Sequence, residues 1–129
     1  MIKNALMAVF FSALFALTLA GCGPGVPEWR RGDERNTGPE LTERGVRFSI
    51  YAPRVDRVNV VGDFNNWSVA ADPLYDRDGV GLWTILLPLT PGRYEYKFIL
   101  DGEKWIPDPG NPNNVDDGFG GLNSVVVVE

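Results

Sequence analysis

The feature that most constrains the fold is a period-two alternation of apolar and polar residues that begins after Gly45. In the run RGVRFSIYAP, the apolar residues Val46, Phe48 and Ile50 alternate with polar ones, so they share one face of an extended strand. The same alternation recurs in DRVNVVGDF, GLWTILLPL and GRYEYKFILDG, and the chain closes with the β-branched run NSVVVVE. Asp-Gly and Pro-Gly dipeptides separate these runs. Short strands joined by tight turns predict an all-β fold, an antiparallel β-sandwich of immunoglobulin-like type.

Two tryptophans do not fit the face that the alternation assigns to the core. Trp83 aligns with aliphatic residues of GLWTILLPL, and the aromatic residues of YEYKF share one face, so these side chains are predicted to be buried. Trp67 instead follows Asn65 and Asn66 in a turn-like segment, and Trp105 follows a hairpin turn. A large apolar ring at a loop is typical of a binding surface, although Trp67 could also fold back over the end of the sandwich.

The orientation of Trp105 depends on the register of its hairpin. A two-residue turn at Asp101-Gly102 would place Trp105 opposite Phe98, facing the core. A three-residue loop, Leu100–Gly102, would place it opposite Lys97 on the outer face, because a shift of one residue reverses the side chain. The longer loop is favoured, since other aromatic side chains already fill the inner face.

Composition excludes several classes of function. The chain has 129 residues, 12 Lys plus Arg against 17 Asp plus Glu, and a formal net charge of −5. This length is too short for a barrel enzyme, and an acidic chain without a basic cluster is a poor partner for nucleic acid. The sequence contains no His, the commonest general base and metal ligand. We therefore expect no cofactor, no metal and no nucleic-acid partner.

One acidic pair could suggest an enzyme. Two carboxylates at a suitable separation can hydrolyse glycosides, and Asp116 and Asp117 are adjacent. They lie in a turn-like segment without an apolar pocket that would raise one pKa, so we interpret them as a solvated loop and expect no catalytic residue. The surrounding run DPGNPNNVDDG is rich in oxygen ligands but lacks the closing Glu of an EF-hand.

The first 21 residues have the layout of a secretory signal peptide, with a Lys near the start and then an apolar run. The ending LAGC resembles the lipobox of bacterial lipoproteins. That resemblance implies cleavage before Cys22 and acylation of its thiol and new amino group. Gly23 after the cysteine then implies the outer membrane if the host is Gram-negative. The alternative is an ordinary cleaved signal with a stray cysteine.

The predicted organisation has three parts. Residues 1–21 form the lipoprotein signal peptide, and residues 22–44 form a flexible tether that begins at the lipidated Cys22. The tether is rich in Pro, Gly and charge, with no apolar period. Residues 45–129 form the β-sandwich. The expected localisation is the bacterial cell envelope, with a lipid anchor.

The outward tryptophans, with Lys97 and several Asn nearby, suit a carbohydrate. A sugar ring has apolar C–H faces that stack on aromatic rings, and a rim of hydroxyls that bond to amide and ammonium groups. Each stacking contact contributes about 0.5–1.5 kcal/mol beyond area burial. Weak contacts of this kind gain from a polymeric ligand through effective concentration.

The runs VNVVGDFNNWS, GRYEYKFILDG, WIPDPGNP and GLNSVVVV also resemble a known family. They are similar to the glycogen-binding domain of the AMP-activated protein kinase β subunit. They are also similar to the family-48 carbohydrate-binding modules that precede the catalytic barrels of isoamylases and glycogen branching enzymes. The resemblance covers about residues 44–129. It implies an early-set immunoglobulin-like β-sandwich that binds α-1,4-linked glucose chains such as glycogen, starch or maltooligosaccharides.

The resemblance also implies a set of sugar-binding residues. Two aromatic platforms, a lysine, an apolar finger and an asparagine correspond to Trp67, Trp105, Lys97, Phe119 and Asn123. Asn65 and Asn66 would support the first platform. The family has a Thr at the position of Gly121, so this chain loses one hydroxyl contact there.

The resemblance leaves a rival interpretation open. Several members of the family pack against a kinase or a hydrolase, and some have lost sugar binding. The chain could therefore be an envelope scaffold that positions a glucan-active enzyme. Retention of both platforms and of Lys97 favours a non-catalytic module that binds α-glucan.

Overall fold

The computed structural model describes residues 35–129, which form eight strands and a single turn of 3-10 helix at Asp63–Asn65. The strands are β1 (Glu40–Thr42), β2 (Gly45–Tyr51), β3 (Val58–Gly62), β4 (Leu82–Leu87), β5 (Gly92–Leu100), β6 (Lys104–Ile106), β7 (Asn114–Asp116) and β8 (Leu122–Val128). The predicted leader, Cys22 and the predicted tether up to residue 34 lie outside the described residues. No helix within residues 35–129 is long and apolar enough to cross a membrane.

The strands form two antiparallel sheets. The smaller sheet has the order β1-β2-β4, and the larger has the order β3-β5-β8-β7. The long strand β5 lies in the centre of the larger sheet. Strand β3 pairs along one edge of β5, and β8 and β6 pair with successive parts of its other edge. The core lies between the two sheets. The predicted all-β sandwich of immunoglobulin-like type is confirmed.

The predicted inner faces form this core. Its fully buried members come from both sheets and include Phe48 of β2 and Tyr96 and Phe98 of β5. The rings of Phe48 and Tyr96 meet edge to face with centroids 4.8 Å apart, and those of Tyr96 and Phe98 are 5.9 Å apart. Each such pair contributes about 0.5–1.5 kcal/mol beyond area burial. Trp83 packs against this cluster as predicted, and its indole nitrogen donates to the carbonyl of Ala52 at 2.9 Å.

The folded part of the chain begins before Gly45, where the sequence predicts the end of the tether. Strand β1 pairs with β2, and the side-chain oxygen of Asn36 accepts the backbone N–H of Tyr51 at 2.9 Å. Three residues of strand are too few to show a period of two, and the Pro- and Gly-rich composition of this segment masks them. The predicted boundary between tether and sandwich at residue 44 therefore lies too far along the chain, because described residues before it already belong to the fold.

A buried polar network connects the WIPDPGNP segment with the large sheet. The Tyr96 hydroxyl donates to Asp108 Oδ2 at 2.7 Å, and Asn111 Nδ2 donates to the same hydroxyl at 3.0 Å. The backbone N–H of Asp108 donates to the Ser124 hydroxyl at 2.7 Å, and Asp108 Oδ1 accepts the N–H of Gly110 at 2.9 Å. Asp108 is only 2% exposed. This motif therefore serves the fold, because three of its four bonds join the segment between β6 and β7 to β5 or β8, and the fourth holds the segment itself.

We expect stability to depend on pH through Asp108. Burial raises the pKa of this carboxyl to about 6, despite the bonds from Tyr96 and Gly110. Between about pH 4 and pH 6 the unfolded chain loses this proton while the folded chain keeps it, so the free energy of unfolding falls as pH rises. The full difference is about 3 kcal/mol. Urea unfolding between pH 4 and pH 7.5 measures it. Asp108→Asn should flatten the profile, and parallel profiles for the two proteins would contradict this assignment.

Candidate functional site

Trp67 lies on the loop that leaves β3. The backbone of Asn66 and Trp67 is left-handed there, with φ angles of 54° and 58°. Asparagine tolerates such an angle, but for Trp67 it costs about 1–2 kcal/mol, so other bonds must hold the loop. Asn65 supplies two of them, because its side chain accepts the N–H of Gly62 at 3.1 Å and donates to the carbonyl of Val60 at 3.0 Å. The N–H of Trp67 closes the loop on the carbonyl of Gly62 at 3.0 Å.

Asp63 holds the indole ring of Trp67 against the large sheet. Its Oδ1 accepts the indole N–H at 3.2 Å, and its Oδ2 accepts the backbone N–H of Glu95 on β5 at 2.8 Å. Trp67 is consequently half-buried rather than surrounded by water. Asp63 is not among the predicted site residues. Its place four residues before Trp67 is the signal that could have identified it.

Trp105 faces outward, but not through the register that the sequence favours. It pairs with Ile99, whereas the favoured three-residue loop would pair it with Lys97. Ile99 and Lys97 lie on the same outer face of β5, because successive side chains alternate along a strand. The predicted orientation of Trp105 is therefore confirmed, with 46% of the residue exposed, while the predicted register is wrong.

The turn itself explains the register. Asp101 and Gly102 have positive φ angles of 52° and 71°, and the N–H of Glu103 bonds to the carbonyl of Leu100 at 3.0 Å, as in a two-residue hairpin turn. A simple two-residue hairpin would pair Leu100 with Glu103, but the structure pairs Leu100 with Lys104, so Glu103 is an additional loop residue before β6. Asp101 Oδ1 also accepts the N–H of Arg57 at 3.1 Å, which ties the turn to the segment before β3. The extra residue rotates Trp105 to the outer face.

Lys97 lies on β5 at the base of the site and forms an ion pair with Asp117. The distance from Lys97 Nζ to Asp117 Oδ2 is 2.6 Å. Asp117 Oδ1 accepts the backbone N–H groups of Phe119 and Gly121 at 2.7 and 3.0 Å. The hydrogen bond from Lys97, followed by these two backbone bonds, lowers the pKa of Asp117 to about 2. The interpretation of Asp117 as part of a solvated loop is wrong, because its side chain is only 10% exposed.

Phe119 lies at the tip of the hairpin loop between β7 and β8. It is 94% exposed and lies between Gly118 and Gly120, whose φ angles are 83° and 86°. Left-handed backbone on both sides of Phe119 favours glycine, which explains the sequence GFG. The loop therefore presents an aromatic ring into solvent, where a ligand in the site could meet it.

Asn123 extends the site along β8. Tyr96 pairs with Ser124, so the next residues on the two strands, Lys97 and Asn123, are neighbours on the outer face. Asn123 Nδ2 donates to Glu95 Oε1 at 3.3 Å. Within residues 35–129 the Asn123 side-chain oxygen accepts no hydrogen bond, so it remains available to a ligand.

These side chains surround one cleft with a volume of about 500 Å³. We call it the aromatic cleft, and its lining residues are Trp67, Lys97, Trp105, Asp117, Phe119 and Asn123. All five residues that the resemblance implies as sugar contacts line it, although they come from three separate parts of the chain. Asn65 and Asn66 precede Trp67 in its loop and are not among the lining residues. The volume is within the range of about 300–1,000 Å³ that is usual for small-molecule sites.

The charge of the aromatic cleft is balanced. Lys97 and Asp117 neutralise each other, and the remaining lining residues are aromatic or amide side chains. Within the described residues, no group of three or more His, Cys, Asp and Glu side chains could hold a metal ion. The cleft therefore offers ring faces, hydrogen-bond donors and acceptors to a neutral ligand.

Comparison with known proteins agrees with this architecture. Residues 36–115 match the family described as carbohydrate-binding module 48 (isoamylase N-terminal domain). The chain belongs to this family. The match begins ahead of Gly45, in agreement with the early start of the folded part. The narrower likeness to the kinase β subunit stays a prediction.

The curated relatives are much longer than this chain. It is 44% identical over 56 residues to the 1,4-alpha-glucan branching enzyme GlgB of Nitrosomonas eutropha, a match that covers 43% of this chain and 8% of that enzyme. It is 40% identical over 70 residues to GlgB 2 of Rhizobium etli, covering 53% of this chain and 10% of that enzyme. The chain thus matches about a tenth of the length of these relatives, in a region that corresponds to the module alone.

Proposed function

We propose that this chain binds α-1,4-linked glucan, such as glycogen, starch or maltooligosaccharides, at the aromatic cleft and performs no reaction on it. The observation that carries this proposal is that Trp67, Lys97, Trp105, Phe119 and Asn123 line the same cleft. Membership of a carbohydrate-binding family and the likeness to enzymes named for 1,4-alpha-glucan support the choice of ligand.

The chemistry of the cleft supports a neutral sugar. The indole rings of Trp67 and Trp105 can stack on the apolar faces of glucose units, while Lys97 and Asn123 bond to hydroxyls. A few contacts of this kind correspond to dissociation constants in about the micromolar-to-millimolar range. Many identical sites along a glucan chain raise the apparent affinity for the polymer above that for a short oligosaccharide.

The state of the acidic pair supports a non-catalytic role. A glycosidase needs one carboxyl group that carries a proton near neutral pH. Asp117, with a pKa of about 2, is ionised there, and Asp116 is exposed with its Oδ1 bonded to the N–H of Gly118 at 2.6 Å. Asp117 therefore does not meet the requirement for the acid.

Affinity electrophoresis tests this function. We expect the purified protein to migrate more slowly in native gels that contain glycogen than in plain gels, and added maltoheptaose should restore its mobility. Gels that contain dextran, an α-1,6-glucan, provide the linkage control. Unchanged mobility with glycogen would contradict sugar binding and favour the rival role as an envelope scaffold for a glucan-active enzyme.

We further propose that Cys22 is acylated and anchors the module to a membrane of the bacterial envelope, the outer membrane in a Gram-negative host. The LAGC sequence after an apolar leader supports this. Metabolic labelling with a palmitate analogue should mark the chain and leave the Cys22→Ala variant unlabelled. Label in both proteins, or in neither, would contradict the anchor.

A further inference from the structure

Asp117 lies in the aromatic cleft where no sugar contact has been assigned. Its Oδ1 accepts two bonds, from the N–H groups of Phe119 and Gly121, and these bonds hold the loop that carries Phe119. Asp117 lines the cleft, and its Oδ2 accepts a bond from Lys97 Nζ, itself a lining residue, at 2.6 Å. Within residues 35–129, Lys97 is the only donor to Oδ2. A carboxylate oxygen can accept two hydrogen bonds, so one position on Oδ2 remains for a ligand.

The glycine at position 121 makes room for this carboxylate. A Cβ atom on Gly121 would lie 2.7 Å from Asp117 Oδ2 and 3.6 Å from Lys97 Nζ. The carboxylate therefore occupies the space that a side chain at position 121 would need. The Thr that the resemblance places at this position is absent, and Asp117 Oδ2 occupies the space that its side chain would fill.

We propose that Asp117 binds the glucan directly, with Oδ2 accepting a hydrogen bond from one glucose hydroxyl while Lys97 donates to the adjacent hydroxyl. This inference rests on the proposed function. Each unit of an α-1,4-glucan carries free hydroxyls on the neighbouring carbons 2 and 3. A donor and an acceptor held 2.6 Å apart match such a pair, because one hydroxyl can accept while the other donates. Asp117 thereby replaces the hydroxyl contact that is lost at Gly121.

The lowered pKa of Asp117 agrees with this role. Because its pKa is about 2, the carboxylate is ionised above about pH 4 and acts only as an acceptor. A hydrogen bond to an ionised acceptor is stronger than one between neutral groups. The pair also stays neutral as a whole, which avoids a net charge facing an uncharged sugar.

The substitution Asp117→Asn tests the inference. The new amide oxygen can keep both backbone bonds that Oδ1 makes, so the loop is retained, but the amide nitrogen in place of Oδ2 accepts nothing. We expect calorimetric titration with maltoheptaose to show a loss of affinity of about tenfold. The matched control is Asp116→Asn, which changes the charge equally in an exposed neighbour outside the cleft lining. Its affinity should stay within about twofold of the original protein.

A second pair of variants separates direct contact from an effect transmitted through Lys97. In the Lys97→Met variant, the ion pair between position 97 and Asp117 is absent, so Asp117 cannot position an ammonium group. If Asp117 bonds to the sugar itself, Asp117→Asn still weakens binding by about fivefold or more in that background. If the substitution costs affinity only when Lys97 is present, direct contact is overturned and Asp117 acts by positioning Lys97.

The outcomes distinguish this inference from the proposed function. If glycogen retains the original protein and Asp117→Asn binds with unchanged affinity, the role of Asp117 is overturned and the proposed function is not. Absence of retention in the original protein overturns both proposals. If Asp117→Asn does not fold, Gly121→Ala provides the measurement, because its Cβ pushes Oδ2 out of place without removing the carboxylate. A folded Gly121→Ala with full affinity would also overturn the inference.

Discussion

Replacing Trp105 with alanine is expected to lower the affinity for maltoheptaose by about tenfold to a hundredfold, which corresponds to about 1.4–2.8 kcal/mol. The physical reason is that the indole face is available to a glucose ring, since 46% of Trp105 is exposed. Within residues 35–129 its indole N–H has no acceptor, so the substitution breaks no hydrogen bond of the fold. Calorimetric titration and retention in glycogen gels measure the effect.

The matched control for this substitution is Tyr75→Ala. Tyr75 is another aromatic residue, 55% exposed, and it lies outside the aromatic cleft beside Thr84 of β4. Its loss should leave glucan affinity within about twofold, because it removes a similar apolar area from a different surface. Equal losses for Tyr75→Ala and Trp105→Ala would contradict the location of the binding site. Trp67→Ala should also reduce binding, although it additionally breaks the bond to Asp63.

Gly62→Ala is expected to lower the free energy of unfolding by about 3 kcal/mol and the melting temperature by about 15 °C. A Cβ at Gly62 would lie 2.5 Å from the carbonyl oxygen of Glu95, 2.8 Å from Tyr96 Cβ and 2.9 Å from Phe64 Cε1. Two of these atoms belong to the paired strand β5, so the strands must separate. Thermal and urea unfolding followed by tryptophan fluorescence provide the measurement.

Glucan binding should fall in the same variant. Gly62 donates its N–H to Asn65 and accepts the N–H of Trp67, so a displaced strand also displaces the first platform. Gly79→Ala is the control, because Gly79 has a positive φ of 68° but open space around its Cβ position. It should cost only about 1 kcal/mol and leave binding unchanged. Similar losses for the two variants would contradict the close approach at Gly62, because the backbone of Gly62 is extended, with a φ of −176°, and is open to any residue.

The longer strands could be predicted from the sequence because their pattern is local. An inner face such as Val46, Phe48 and Ile50 needs only the alternation of side chains along one strand. The short strands β1 and β7 were missed, since three residues do not reveal a period. The predicted tether, which ends at residue 44, consequently includes residues that pair with β2 in the structure.

The sequence predicted which residues form the candidate site better than it predicted how they are arranged. Trp67 and Trp105 were identifiable because each large ring follows a turn. The partner of Trp105 was not, because the hairpin loop consists of residues 101–103 rather than 100–102, which pairs Trp105 with Ile99 instead of Lys97. Asp117 was missed for a related reason, since its ion pair joins positions twenty residues apart in the chain.

The sequence by itself determined the β-sandwich class, the inward faces of the long strands and the family to which the chain belongs. These properties follow from patterns within single strands and from short motifs. Only the tertiary structure decided the register at Trp105, the early start of the folded part and the burial of Asp117 beside Lys97. Those features depend on contacts between strands that are distant in the chain, and one inserted residue or one missing side chain changes which atoms meet.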